Sequence, residues 1–191
     1  LYIDLFRKNS SLKEIILDKR LSRFNLIYLY SLMKKIKKNK LESKFILSHP
    51  IAGSEKSGFL NSSEDLFKDK ISIISKHNGL AINTLKKCKE LWFELGSETH
   101  NVDPKLHDEI FSLTSHLPHI VAFSLISLFS KRKTSVYKKY MGGGLKDFTR
   151  IAESDPNMWE NIFSLNKKNL LKDIREIEKE LKKIKNFIVK D

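Results

Sequence analysis

Cysteine is nearly absent from this chain: Cys88 is the only one in 191 residues, which excludes an internal disulfide and fits a reducing compartment. Glycine is scarce where a phosphate-binding turn would need it. There are seven, the first at Gly53, so residues 1–52 hold no G-x-G-x-x-G at which a backbone could approach a pyrophosphate. No hydrophobic run in the sequence reaches the roughly 20 residues that a bilayer requires. The most apolar stretch, Ile120 to Phe129, is short and broken by serines. The chain begins at Leu1 and shows no signal-peptide layout, so a cytoplasmic protein without a membrane partner is expected, and a missing N-terminal portion stays open. Acidic residues are also short, with 23 Asp+Glu against 36 Lys+Arg and a formal net charge of +13. That balance admits a nucleic-acid partner or an anionic substrate. It equally admits a compositional bias toward Lys, Asn, Ile and Ser, because the lysines are scattered and form no single stripe. No nucleic-acid partner is expected.

What is present suffices for a packed interior. Hydrophobic residues make up 40% and aromatic residues 10%, enough for a core despite 31% charged residues. Residues 1–43 are basic and amphipathic, with Leu29, Leu32, Met33, Ile36 and Leu41 approximating one helix face among lysines. Phe45–Leu47 and Ile71–Ile74 are apolar runs suited to buried strands. After the Asn78-Gly79 turn, Ala81, Ile82, Leu85, Cys88, Leu91, Trp92 and Leu95 give a helical stripe closed by Gly96. This order resembles the second half of a nucleotide-binding sheet.

From Asp103-Pro104, a cap followed by a first-turn proline, the pattern becomes helical. Pro118 is expected to kink or divide the first helix, because it lacks an N–H and crowds the preceding turn. Asp155-Pro156 starts a final helix expected to reach about Val189, close to 50 Å at about 1.5 Å per residue. Phe163, Leu170, Ile174, Ile177, Leu181, Ile184 and Ile188 give it a three-four alternation, the spacing of a seam for another helix, hence a homodimer. The expected fold class is α/β followed by all-α: a Rossmann-type sheet remnant over 1–102 and a helical substrate-binding and dimerisation domain over 103–191.

Candidate chemistry centres on His49, in Ser48-His49-Pro50 after the first apolar run, where an imidazole with a pKa near 6.5 can accept a proton at neutral pH. Ser115, His116 and His119 fall three and four apart, so His119 shares a helix face with either neighbour. No metal is expected from His107, His116 and His119. Their spacing matches no recognised zinc motif, no cysteine joins them, and Pro118 interrupts the geometry. Buried structural histidines are the plainer reading of His107 and His116. Asp147 and Arg150, three apart after Gly142-Gly143-Gly144, read either as an exposed ion pair or as an arginine fork for a carboxylate. Trp159 reads as a packing aromatic or a wall of the site.

Four motifs in order, Ser48-His49-Pro50-Ile51-Ala52-Gly53, Leu106-His107-Asp108 with Ser115-His116-Leu117-Pro118-His119, Gly142-Gly143-Gly144 through Arg150, and Ser154-Asp155-Pro156-Asn157-Met158-Trp159, resemble the prephenate/arogenate dehydrogenase family of tyrosine biosynthesis. The resemblance implies NAD(P)-dependent oxidative decarboxylation of prephenate or arogenate. It implies His49 as catalytic base, Ser115, His119, Gly143, Arg150 and Trp159 at the substrate, and Glu55 gating Arg150. Ser31, Ser48 and Pro50 fall on the cofactor side. His49 and Arg150 are expected to converge on one dianion in a cleft between sheet and helices. The family's Asp-x-Gly-Ser-x-Lys segment is replaced by Leu29-Tyr30-Ser31-Leu32-Met33-Lys34, in which Ser31 has a counterpart and the aspartate and glycine do not. The chain is therefore expected to be incomplete at the cofactor, either an enzyme or a ligand-binding and dimerisation remnant of one.

Overall fold

The computed structural model describes residues 38, 46–52, 63, 65–132 and 134–190. The basic segment 1–43 lies outside these apart from Lys38, as do Phe45, Ser31, Gly53 and Glu55. The chain divides into two compact units, Leu1–His107 and Asp108–Asp191.

The first unit is built on β2 (Ile71–Ser75), in which Ser72, Ile73, Ile74 and Ser75 are all buried. On one side lies β1 (Leu47–Pro50), antiparallel, with His49 opposite Ile73; on the other lies β3 (Glu98–Asn101), parallel, with Ile71 opposite Glu98. Helix α1 (Ile82–Glu94) makes the crossover that a parallel pair requires. Its end follows from Gly96, whose φ of 76° a side chain would resist. The Gly96 N–H donates to the Phe93 carbonyl and the Ser97 N–H to the Trp92 carbonyl, the paired bonds of a Schellman stop.

Two strand expectations change. The apolar run predicts a strand at Phe45–Leu47, but pairing with β2 selects Leu47–Pro50, so His49 lies within the strand and not in a loop after it. β3 has no apolar alternation to announce it, Glu98-Thr99-His100-Asn101 being largely exposed; it exists because α1 returns the chain to the open edge of β2.

Phe67, Ile74, Cys88 and Trp92 form the core of this unit, with Phe67 and Trp92 edge to face at 5.4 Å. Burial pushes the Cys88 thiol up to about 11, against a smaller opposing contact with Trp92, so Cys88 is a packed, unreactive thiol. The buried serines have partners. Ser72 and Ser97 share a hydroxyl hydrogen bond of 2.8 Å, and Ser75 donates to the Val102 carbonyl at 2.7 Å.

Helix α2 (Pro104–Phe111) starts at Asp103, whose Oδ1 accepts the N–H groups of Lys105 and Leu106, as a cap should. A five-residue π turn, Ser112–His116, follows it and leads directly into α3 (Leu117–Ser130). Helical residues therefore continue through Pro118, and the division falls just before it, between α2 and α3. The wider π turn precedes it, and the Leu117 N–H reaches back to the Ser112 carbonyl, a register that accommodates the missing donor. Pro104–Ser130 is then 27 helical residues, long and apolar enough to cross a membrane by length and composition, which the count over Ile120–Phe129 alone did not anticipate. The core helix of a bundle has the same length and composition, and this one buries polar His107, Ser112 and His116 against polar partners.

In the second unit α3 packs on α5 (Gly143–Ala152), preceded by the short turns α4 (Thr134–Tyr137) and a 3-10 segment, Lys138–Tyr140. The expected single terminal helix is two. α6 (Pro156–Leu165) is capped by Asp155, which accepts the Asn157 N–H, and it ends at Asn166 (φ −98°, ψ 22°) before α7 (Lys167–Lys190). At 24 residues, α7 is about 36 Å long. Its near half supplies Leu170, buried, and Ile174 and Ile177, half-buried; Leu181, Ile184 and Ile188 continue the same stripe in the open.

Candidate active site

In the first unit, β1 presents His49, and antiparallel pairing with β2 fixes its backbone. His49 Nδ1 lies 2.8 Å from Nε2 of His107, the rings edge to face at 5.1 Å and 65°. His107, on α2, is 0% exposed, and its backbone N–H donates to the Asp103 carbonyl. Here the structure supplies a residue that the sequence reading had placed only among structural histidines. Two histidines 58 positions apart carry no common period, so nothing local pairs them.

Next to His49, Ser48 donates to the Ile73 carbonyl at 3.1 Å and accepts the Trp92 indole N–H at 2.8 Å. Its hydroxyl is thus committed on both sides, its proton to β2 and its oxygen to the indole N–H of α1. Pro50 closes the strand opposite Ser72, and the next N–H, of Ile51, donates to the Ile71 carbonyl. Ser31 and Glu55 fall outside the described residues.

In the second unit Trp159 is the hub, buried on α6. His119 stacks on it at 3.6 Å and 22°, while His116 meets it edge-on at 6.1 Å. Phe123 and Phe163 close the cluster. His119 Nδ1 pairs with the Ser115 backbone carbonyl at 2.8 Å, so these two residues are joined through main chain and not through the serine hydroxyl. Burial lowers the His119 pKa below 6.5, opposed in part by that carbonyl. Trp159 Nε1 is buried with no hydrogen-bond partner among the described residues, a donor worth about 1–3 kcal/mol if left unmet.

A polar network backs the cluster. Asn166 Nδ2 donates to the Asp108 carbonyl at 2.7 Å and lies 3.2 Å from His116 Nδ1, and Asn169 donates to Asn166 Oδ1 at 2.9 Å. Ser112, in the π turn, donates to the Asp173 carboxylate of α7. Neither Asn166 nor Asp173 announced itself in the sequence, since an asparagine or aspartate on a basic terminal helix reads as surface.

α5 carries the remaining candidates. Gly142 caps it, and Gly143 and Gly144 form its first turn, where among the described residues no contact to a Cβ requires glycine. Leu145, Phe148 and Ile151 turn inward and Arg150 is exposed. Among the described residues no group of three or more His, Cys, Asp or Glu side chains is placed to hold a metal.

A β-α-β unit flanked by an antiparallel strand, followed by an all-helical unit with an aromatic and histidine cluster, defines a protein with a nucleotide-binding half and a helical half. Residues 30–100 match the family model described as prephenate dehydrogenase, nucleotide-binding domain, and residues 103–191 match prephenate dehydrogenase, dimerization domain. The chain is 30% identical over 161 residues to a cyclohexadienyl dehydrogenase of Zymomonas mobilis, covering 83% of this chain and 55% of that protein. It is 34% identical to a prephenate dehydrogenase of Bacillus subtilis over 75% of this chain and 39% of that one. A crystal structure of Aquifex aeolicus prephenate dehydrogenase in complex with hydroxyphenyl propionate and NAD+ superimposes with a TM-score of 0.74 at 42% identity, covering 80% of this chain and 54% of that chain. This chain belongs to the prephenate dehydrogenase family. It spans about half the length of the relatives it matches.

Proposed function

We propose that the protein carrying this chain is an NAD(P)-dependent prephenate dehydrogenase, acting on prephenate or its amino analogue arogenate in the cytoplasm. The observation that carries this reading is the placement of His49: the residue that the family resemblance makes the base sits on an ordered strand and is held at Nδ1 by a buried histidine.

The residues present fit only part of the cofactor. Ser31, Ser48 and Pro50 are assigned to the cofactor, Ser31 near its nicotinamide, whereas a G-x-G-x-x-G cradle for the phosphates is not among the 191 residues. When bound, NAD(P)+ supplies the hydride acceptor. The chain's own groups do the rest. His49 takes the hydroxyl proton as the carbonyl develops, a step worth about 10²–10⁴ in rate. Arg150 offers a planar fork to a substrate carboxylate. Ser115 and His119 hold the ring end, Gly143 lies at the substrate, and Glu55 gates Arg150. Trp159 walls the site through its ring, on which His119 stacks.

A second reading, ligand binding and dimerisation without turnover, is favoured by the match of residues 103–191 to the family's dimerization domain. The two separate experimentally. NADH formation from prephenate and NAD+ that falls about 10²–10⁴-fold in His49→Asn, with unchanged melting temperature, supports the enzyme. Equal turnover in the variant removes His49 from the base role. A melting-temperature rise with prephenate or hydroxyphenyl propionate, without NADH formation, supports the binding module.

The homodimer is assigned to the helical unit, which matches the dimerization domain of the family. The apolar stripe Leu181, Ile184 and Ile188 on the far half of α7 supports it.

A further inference from the structure

We infer that His107 is a positioning residue that sets the tautomer of His49: Nδ1–H of His49 donates to Nε2 of His107, which makes Nε2 of His49 the basic nitrogen of that ring. The inference deepens the reading of His49 as base and rests on it, both for the choice between the two tautomers and for its consequence in turnover.

The argument begins with proton counting. Two ring nitrogens 2.8 Å apart share one proton, because two N–H groups would repel and two lone pairs would make no bond. Two arrangements satisfy that count. In one, His107 donates and neutral His49 carries its proton on Nε2, where it can accept none from a substrate. In the other, His49 donates through Nδ1 and its Nε2 bears the lone pair. Only the second survives the reaction. After proton uptake His49 is an imidazolium with two donors, and its Nδ1–H already faces the His107 lone pair, so no second proton has to move.

The partner is built to hold that lone pair still. His107 is wholly buried, and it stands in the first turn of α2, whose start is pinned by the Asp103 cap and by the His107 backbone N–H to the Asp103 carbonyl. His49 is equally fixed, one strand over from Ile73. The 65° angle between the rings lets the in-plane N–H of one meet the in-plane lone pair of the other. An imidazole in this place orients the base as a carboxylate does in a Ser-His-Asp triad, where loss of the orienting group yields the wrong tautomer.

The test reads the tautomer directly. Long-range ¹H–¹⁵N correlation spectra of the labelled protein at about pH 8.5, above the ordinary histidine range, are expected to show His49 with Nδ1 protonated and Nε2 bare; its signals are assigned by their loss in His49→Asn. His107→Leu should shift His49 toward the Nε2–H form, and His107→Gln, whose side-chain oxygen can accept the same N–H, should restore it. In turnover, His107→Leu is expected to lower kcat on the order of 10²-fold with little change in KM, and His107→Gln to recover most of the loss. An Nε2–H His49 in the parent protein overturns the inference, and so does a tautomer unmoved in His107→Leu. The parent spectrum needs no substitution, so a variant that fails to fold does not block the test. Turnover unaffected by His49→Asn, alongside the expected tautomer, would remove the base reading and leave the pairing standing.

Discussion

The two units hold their histidines by different physics. In the sheet unit His49 is fixed at a nitrogen, through a 2.8 Å bond to a buried ring, which controls where its proton sits. In the helical unit His119 is fixed by its face, stacked at 3.6 Å on Trp159, with one nitrogen on a main-chain carbonyl and burial favouring the neutral form. The first arrangement suits a group that exchanges a proton. The second suits a group that must keep its shape and charge while something else reacts. One residue type thus serves two ends according to whether a nitrogen or a ring face is constrained.

If the aromatic cluster organises the helical unit, Trp159→Ala should have the largest effect on stability, a loss of about 3–5 kcal/mol in urea unfolding. A loss under about 1 kcal/mol would mean that His119 is held by something other than the indole. Asn166→Ala comes next. It removes the donor to the Asp108 carbonyl and the contact with His116, and an expected loss of about 1–3 kcal/mol should leave the His49 imidazole resonances in place, keeping the two units distinct. In the sheet unit, Gly96→Ala forces a Cβ to 3.2 Å from the Lys68 Cα at a positive φ, and should cost about 1 kcal/mol, read as a lower unfolding midpoint. The smallest effect concerns pH. Because burial lowers the His119 pKa below 6.5, the unfolded chain binds more protons there, so the stability due to the neutral ring is present above pH 6.5 and lost as pH falls below it. His119→Gln should therefore flatten the acid slope of the melting temperature between pH 7 and 5; an unchanged slope would place the stacked ring on the same footing as an exposed histidine.

Legibility followed range. The α1 stripe, its stop at Gly96 and the Asp103-Pro104 start were all readable, because a cap, a period or a left-handed glycine is written within a few residues. Strand β1 was displaced from its apolar run, and β3 was invisible, because each is selected by the open edge of β2 and not by its own side chains. Pro118 was read as a kink or a division because proline is local evidence; the π turn that makes the division just before it is stabilised from outside, by Ser112 on Asp173 and by the Asn166 network behind His116. Asn166 likewise divided a pattern that read as one helix, since its buried side chain serves that network.

The sequence alone determined the kind of protein this is, because the ordered motifs around His49, His119, Gly143 and Arg150 are short-range patterns that survive without coordinates. It also determined most helix starts and stops. Only the tertiary structure decided that His49 is paired with His107, that Ser48 is tied to Ile73 and Trp92, and that Trp159 meets both His116 and His119. The reason is that a hydrogen bond or ring contact across tens of residues leaves no periodicity in the chain; it exists only once strand pairing and helix packing have brought the two groups within about 3–6 Å of each other.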